Sequence, residues 1–304
     1  MIFPLRLDRC LTLSIFRTLK RLDSKGTVRR VPILMYHSIS DEPEAGVRPY
    51  YRLTTHPRRF AEQMQWLNQR GYWGVSLELA LAMLADGEAD NWPLVVITFD
   101  DGYRDFYTEA WPVLQRHSFA ATVFLPTALV GSQRKSFRGR ECLTWSEVRD
   151  LHAQGVRFGS HTVSHPKLHE LPWNRIEDEL RFSRQSLEQE LGEKIYSFAY
   201  PYAFPQEDRR FTARFAALLR AQGYRSCVTT RIGRARMDED LFSLRRLPVN
   251  SGDDEALFIA KLQGAYDWMS VVQNAFRFGK VWAKRTPPRV PATDADAYRE
   301  LIQP

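Results

Sequence analysis

Short apolar stretches rich in β-branched residues alternate with segments of helical period along most of the chain, and that alternation narrows the folds open to it. Residues 31–37, 94–98, 121–125, 156–159, 197–200, 226–229 and 244–249 read as strands. Between the first two, Phe60, Met64 and Leu67 recur at helical spacing over 57–70, and Gly71 supplies the stop. Further helices are expected over 76–84, 107–115, 146–154, 172–191 and 211–222. Strands and helices in this rhythm predict a mostly parallel α/β layout, either a barrel or an open sheet. Sites in such folds gather at the C-terminal ends of strands. No internal repeat and no low-complexity tract interrupts the pattern.

The strand at 94–98 runs through Phe99 into Asp100-Asp101-Gly102. Two adjacent carboxylates repel each other unless their roles are separated. A bound cation does this by taking one as a ligand and leaving the other free to accept a proton. The plainer reading is an Asp-Asp-Gly turn that closes a strand. Ser160-His161-Thr162-Val163-Ser164-His165 shifts the balance. A helical turn there would point the imidazoles of His161 and His165 to one side. Two histidines and a carboxylate make a facial metal site with open positions for water and substrate. Zn²⁺ in such a site brings the pKa of a water towards about 7 and polarises a carbonyl. Histidine pairs at this spacing also occur on surfaces; the two halves together, each at a strand end, are the sharper signal. His37 ends another strand.

The bulk numbers exclude several classes. With 304 residues, 44% of them hydrophobic, the chain can bury a sizeable core. A net charge of +7 favours acidic partners, either an anionic polymer or anionic lipid. A nucleic-acid partner is not expected, because there is no recognition-helix, zinc-finger or RNA-binding signature and arginine is scattered. Cys10, Cys142 and Cys227 form an odd, widely spaced set without a CxxC pair, which argues against a disulfide framework and for a reducing compartment.

Thr98-Phe99-Asp100-Asp101-Gly102 and His161-Thr162-Val163-Ser164-His165-Pro166 resemble the first two motifs of the polysaccharide deacetylases, carbohydrate esterase family 4 with its NodB-homology domain. Phe198-Ala199-Tyr200-Pro201-Tyr202 resembles the third. Pro32-Ile33-Leu34-Met35-Tyr36-His37-Ser38, Ala121-Thr122-Val123-Phe124-Leu125 and Leu143-Thr144-Trp145 agree as well, so the resemblance runs over 30–250 in order. It implies a distorted (β/α) barrel, circularly permuted in the subgroup with an N-terminal Met-Tyr-His segment. It also implies metal-dependent removal of N-acetyl groups from N-acetylhexosamine units of a polysaccharide or lipid-linked glycan. Position by position, it makes Asp101, His161 and His165 the ligands of one divalent ion, Zn²⁺ first, with Ni²⁺, Co²⁺ or Fe²⁺ also suited to the donors. It makes Asp100 the base that deprotonates the attacking water, and the backbone N–H of Tyr202 a donor to the tetrahedral oxyanion. Hydrolysis of another amide (a formamido sugar or a cyclic imide) and glycan binding without catalysis stay open beside this reading.

Three departures from the family pattern matter. No histidine follows His169, so the late Leu-X-His acid is missing; His37 is the candidate to protonate the leaving amine, its other role being a structural histidine bonded within a turn. The arginine that usually orients the base is absent from the third motif. Arg246 is the expected substitute, with Arg245 alternating to the opposite face of its strand. Ala203 stands where a glycine is common. Tyr103, Tyr202 and Trp145 are candidates to line a sugar groove, Trp145 more readily serving the core. His56, His117, His152 and His169 read as structural or surface residues.

Both ends look like appendages. Residues 1–26 are expected to form a basic amphipathic helix with Leu5, Leu7, Leu11, Ile15, Leu19 and Leu22 broadly on one side, either docked on the domain or lying on a membrane surface. Residues 27–254 make the deacetylase domain. Residues 255–304 hold helices over 255–262 and 268–282 and then a loose, proline-bearing tail. No apolar run approaches the ~20 residues of a membrane span, and the start reads as uncleaved: the stretch 10–16 is short and followed by Arg17, Lys20 and Arg21. The placement expected from this is cytoplasmic, peripheral at the inner membrane.

Overall fold

The computed structural model describes residues 6–22, 30–42, 44, 47, 52–236 and 238–285. Leu5 and the end at 24–26 of the expected first helix, and the tail 286–304, fall outside them. Seven parallel strands close a barrel. In chain order the eight sheet strands are β1 (Ile33–Tyr36), β2 (Trp73–Val75), β3 (Leu94–Phe99), β4 (Thr122–Leu125), β5 (Arg157–Ser160), β6 (Ser197–Ala199), β7 (Ser226–Ile232) and β8 (Leu244–Pro248). Their spatial order is β1-β8-β7-β6-β5-β4-β3, and β3 pairs back to β1. The extra strand, β2, pairs with β3 at Leu94–Val96, while β4 takes Thr98 and Phe99. Both lie on the edge away from β1, so β3 changes partner halfway along and the barrel is distorted there.

Side chains alternate across the wall with the period of two that a strand dictates. On β3, Val95, Ile97 and Phe99 join the large outer core. Leu94 and Val96 join a smaller cluster with Ile33, Phe124, Ala199, Val228 and Leu244, which is the barrel interior. Along that inward row the residues turn from apolar to polar: Leu94, Val96, Thr98, then Asp100. The interior is therefore dry at the start of the strands and charged at their ends.

Outside run helices α2 (Pro57–Gln69), α3 (Leu77–Asp86), α4 (Trp111–Arg116), α5 (Trp145–Ala153), α6 (Trp173–Leu191) and α7 (Arg209–Ala221), followed by α8 (Glu255–Leu262) and α9 (Met269–Arg285). Side chains cap several of their starts: His56 on α2, Ser76 on α3, a Thr144/Glu147 capping box on α5, and Asp254 on α8.

Four expectations need amendment. β2 was not foreseen, because it is short and interrupted by Gly74. The hairpin of Ser136–Phe137 with Arg140–Glu141 was not foreseen either. β7 runs on to Ile232, past the expected 229. The helix expected over 107–115 opens with a π-turn, Phe106–Ala110, before α4. Pro112 has no N–H to give to the turn before it, which is where the ladder widens.

The chain's start is helical as well. Leu7–Leu11, a π-turn Thr12–Phe16 and Arg17–Leu22 run on as one helix, here α1, in front of all the strands. It docks through polar groups: Arg6 pairs with Asp253 at 3.2 Å, Arg9 with Asp254 at 2.5 Å, Tyr266 donates to Asp8 at 2.9 Å and Trp268 to Thr12 at 3.0 Å. Phe16 stacks on Trp268. The buried Lys261 ammonium, 2.7 Å from Asp253, completes the joint. The three cysteines are free.

Candidate active site

Asp100 and Asp101 follow β3 directly, and the backbone N–H of Asp100 donates to the carbonyl of Tyr36. The chain then turns through two left-handed residues, Asp101 (φ 71°) and Gly102 (φ 64°). A β-carbon on Gly102 would be strained at this φ and would stand 2.6 Å from the end of the Leu125 side chain, so glycine is favoured there. Asp101 adopts this φ without that freedom, a cost of about 1 kcal/mol that the site absorbs. The reversal sends the two carboxylates in different directions.

The Asp100 carboxylate meets the Arg246 guanidinium in a two-pronged ion pair, both contacts 2.7 Å. Arg246 is fully buried and also donates to the Thr229 carbonyl and the Thr98 hydroxyl. Arg245 points the other way, to Glu239, as strand alternation requires. Burial would raise the pKa of Asp100, but the charge of Arg246, helped by His161 and His37, outweighs it and holds the carboxyl below its usual range. The His37 Nε2 lies 3.9 Å from the same carboxylate, and burial lowers the pKa of this imidazole.

Asp101 faces the histidine pair: its Oδ1 is 3.2 Å from His165 Nε2 and 3.5 Å from His161 Nε2. The three donor atoms all lie within 4.8 Å of one another, and all three residues are buried. The pair does not sit on a helix, contrary to expectation. Residues 161–165 form an irregular loop with left-handed Thr162 (φ 71°) and His165 (φ 57°), closed by Pro166. What shapes it is Glu179 of α6, whose carboxylate accepts from the N–H groups of Val163 and Ser164 and from the Ser164 hydroxyl. The Thr162 hydroxyl accepts the N–H of His165.

A divalent cation fits this donor set. His161 Nδ1 lies 2.8 Å from the Ala199 carbonyl, to which it can only donate, so its Nε2 presents a lone pair. A lone pair and a carboxylate oxygen at 3.5 Å need a positive charge between them. Protons do not supply it evenly. Burial disfavours charge on both imidazoles; Asp101 overcomes it at His161, whose pKa rises, while at His165 burial and the neighbouring His161 prevail and the pKa falls. Asp101 Oδ1 is buried and makes no hydrogen bond. One ion on three ligands would satisfy all of these atoms.

Above the pair lies an aromatic collar. The Tyr202 ring stands 4.7 Å and the Phe137 ring 5.2 Å from that of His165, and Tyr103 stacks on Phe137. Arg138, at the hairpin turn, covers Phe137 and Tyr202. Tyr202 is also left-handed (φ 56°), and its carbonyl accepts from Thr230. Trp145 packs against the outer core at the start of α5, away from this collar's contacts. Of the remaining histidines, His56 caps α2, and His152 and His169 pair with Glu193 and Glu170. His117 packs near Phe119. Sequence reading missed Glu179, Phe137 and Arg138. A glutamate inside a long helix has no local mark, and an arginine ahead of glycine in a turn is too common to signal a site wall.

A parallel barrel with an arginine-paired carboxylate beside a candidate metal site at its strand ends has the layout of a metal-assisted hydrolase. The comparisons agree. The polysaccharide deacetylase family model matches residues 88–226. The YxkH protein of Bacillus subtilis (strain 168), assigned to the polysaccharide deacetylases, is 29% identical over 77% of this chain and 76% of its own. The poly-β-1,6-N-acetyl-D-glucosamine N-deacetylase of Escherichia coli (strain K12) is 32% identical over 42% of this chain, a stretch that covers only 20% of that enzyme. The deacetylase PplD of Streptococcus pyogenes, solved in complex with acetate, superposes with a TM-score of 0.68 at 26% identity, over 78% of this chain and 99% of that one. The chain is thus similar to the polysaccharide deacetylases, over residues 88–226 by the family model and over about three-quarters of its length to YxkH and PplD.

Proposed function

We propose that the chain is a metal-dependent N-deacetylase of N-acetylhexosamine units in a glycan, with Asp101, His161 and His165 as the ligands and Asp100 as the base. The observation that carries this is the division of labour between the two carboxylates. Asp100 is neutralised by Arg246 and Asp101 is aimed at two imidazoles, so one can take a proton while the other holds an ion. A divalent ion held there would supply Lewis acidity, acidifying a water and polarising the amide carbonyl. The chain's own residues do the rest. The Asp100 carboxylate accepts the proton of the attacking water, and Arg246 keeps it ionised and oriented. His37, 3.9 Å from that carboxylate, is the candidate to pass a proton on to the leaving amine. The N–H of Tyr202 is the candidate donor to the developing oxyanion. Tyr103, Phe137 and Tyr202 offer apolar faces against which a pyranose can rest.

The relatives' names make a β-1,6-linked N-acetylglucosamine oligomer the first substrate to try. The test is acetate release from N-acetylated oligosaccharides by the chelated and the metal-reloaded protein. Activity surviving full chelation would dismiss the reading. Release of formate from a formamido sugar, with no acetate from any N-acetyl substrate, would move it to the other amide.

A further inference from the structure

Helix α1 wears its amphipathicity inside out. Among its described side chains the exposed positions are 7, 10, 11, 14, 15, 18 and 19, one continuous stripe. Four of them are large aliphatics: Leu7 is 64% exposed, Leu11 38%, Ile15 47% and Leu19 53%. The side turned to the barrel is instead held by Asp8, Arg9 and Thr12 through ion pairs and hydrogen bonds, with Phe16 stacked beside them. A helix that only needed to dock would bury its leucines. Spacing of four residues overshoots a helical turn by about 40° each time. The π-turn at Thr12–Phe16, with its wider winding, cancels part of that drift and keeps the aliphatics in line. Next to Trp268, the partner of Phe16, α9 begins, and it exposes Val271 (68%) and Phe276 (70%).

Charge says what covers this face. The two helices hold eight of the chain's 43 lysines and arginines and one of its 36 acidic residues, Asp8, leaving 35 of each elsewhere. The whole net charge of +7 therefore belongs to these two helices. Asp8 is itself paired with Arg6, while Arg9 and Arg277 pair with Asp254 and Glu207. Two helices of so basic a sequence would repel a second copy, whereas an anionic lipid surface attracts them and accepts the aliphatic row. No helix among the described residues is long and apolar enough to cross a membrane, which leaves α1 lying flat.

We propose that α1, together with the start of α9, lies in the headgroup layer of an anionic lipid bilayer, with Leu7, Leu11, Ile15 and Leu19 inserted towards the acyl chains. The inference is independent of the chemistry in the barrel. The test is co-sedimentation of the full chain with vesicles of phosphatidylglycerol and phosphatidylcholine in equal parts, against phosphatidylcholine alone. Partition at least ~tenfold stronger onto the anionic vesicles is expected, weakening with salt. Leu11→Gln with Ile15→Gln should lose at least ~tenfold of it, with acetate release from a soluble oligosaccharide unchanged. A separate Leu11→Trp reporter should shift its emission to the blue on anionic vesicles only, which decides the matter if the double variant fails to fold. No partition by the native chain, partition untouched by the double variant, or a reporter blind to vesicles would overturn the proposal. So would a solution dimer that the double variant dissociates, since a second copy would then cover the stripe.

Discussion

Asp100 can stay ionised inside the barrel because Arg246 lies against it, and the two side chains test each other. Asp100→Asn is expected to cut deacetylation by ~10²–10⁴-fold, the usual size of a lost general base, while metal content measured by elemental analysis stays at one ion per chain. Arg246→Met strands a buried carboxylate and should destabilise the fold by about 3–5 kcal/mol in denaturant melts. Arg246 holds the Asp100 pKa down, so its loss raises that pKa. As the proposed base, Asp100 would work as a carboxylate and fail as pH falls through its pKa. The acid limb of kcat/KM in Arg246→Met is therefore expected to move to higher pH. The motif residues were legible because their chemistry demands them side by side. Arg246 was legible only as a guess by position, since nothing in a strand sequence says which distant carboxylate an arginine will reach.

At the scale of the element, a loop that carries part of the candidate site borrows its shape from a helix. The histidine loop hangs from Glu179, through two backbone N–H groups and a hydroxyl. Glu179→Ala should weaken metal binding by ~10–100-fold, the cost of losing an outer-shell support, with the donors themselves untouched; competition against a colorimetric chelator would measure it. The helical spacing of His161 and His165 suggested a helix because two imidazoles four apart meet on one. In the structure the same convergence comes from left-handed turns that only a long-range anchor makes affordable. The start of α5 offers a cleaner pH probe. Burial acts to raise the Glu147 pKa, but Arg134, the Thr144 N–H and Arg104 bring it from 4.5 down to about 2. A depressed carboxyl stabilises the fold above its unfolded pKa and loses that contribution as pH falls towards the folded value. Glu147→Gln should therefore narrow the gap between melting temperatures at neutral pH and at pH 2.

At the scale of the molecule, the barrel closes where β1, the first strand, pairs with β8, the last, and with β3. That closure brings His37 within 3.9 Å of Asp100 and Arg246 to its carboxylate. Because one ion would tie β3 to the loop after β5, chelation is expected to lower the melting temperature as well as the activity. Reloading should restore both, with a stabilisation that grows with metal concentration by mass action. A chelated protein melting unchanged would mean that no ion is held there.

The α/β class, the strand-end placement of Asp100, Asp101 and the two histidines, and most helix caps follow from local sequence alone. They depend on periodicity, turn residues and side-chain chemistry within a few positions. Tertiary structure decided the rest. It set the two-pronged contact of Arg246 with Asp100, fixed the histidine loop through Glu179, raised the collar of Phe137 and Arg138, and chose between the two placements open to the leucines of α1. Each of these rests on a contact between segments far apart in the chain, and which face of an element meets its neighbour is settled by packing, which no local pattern encodes.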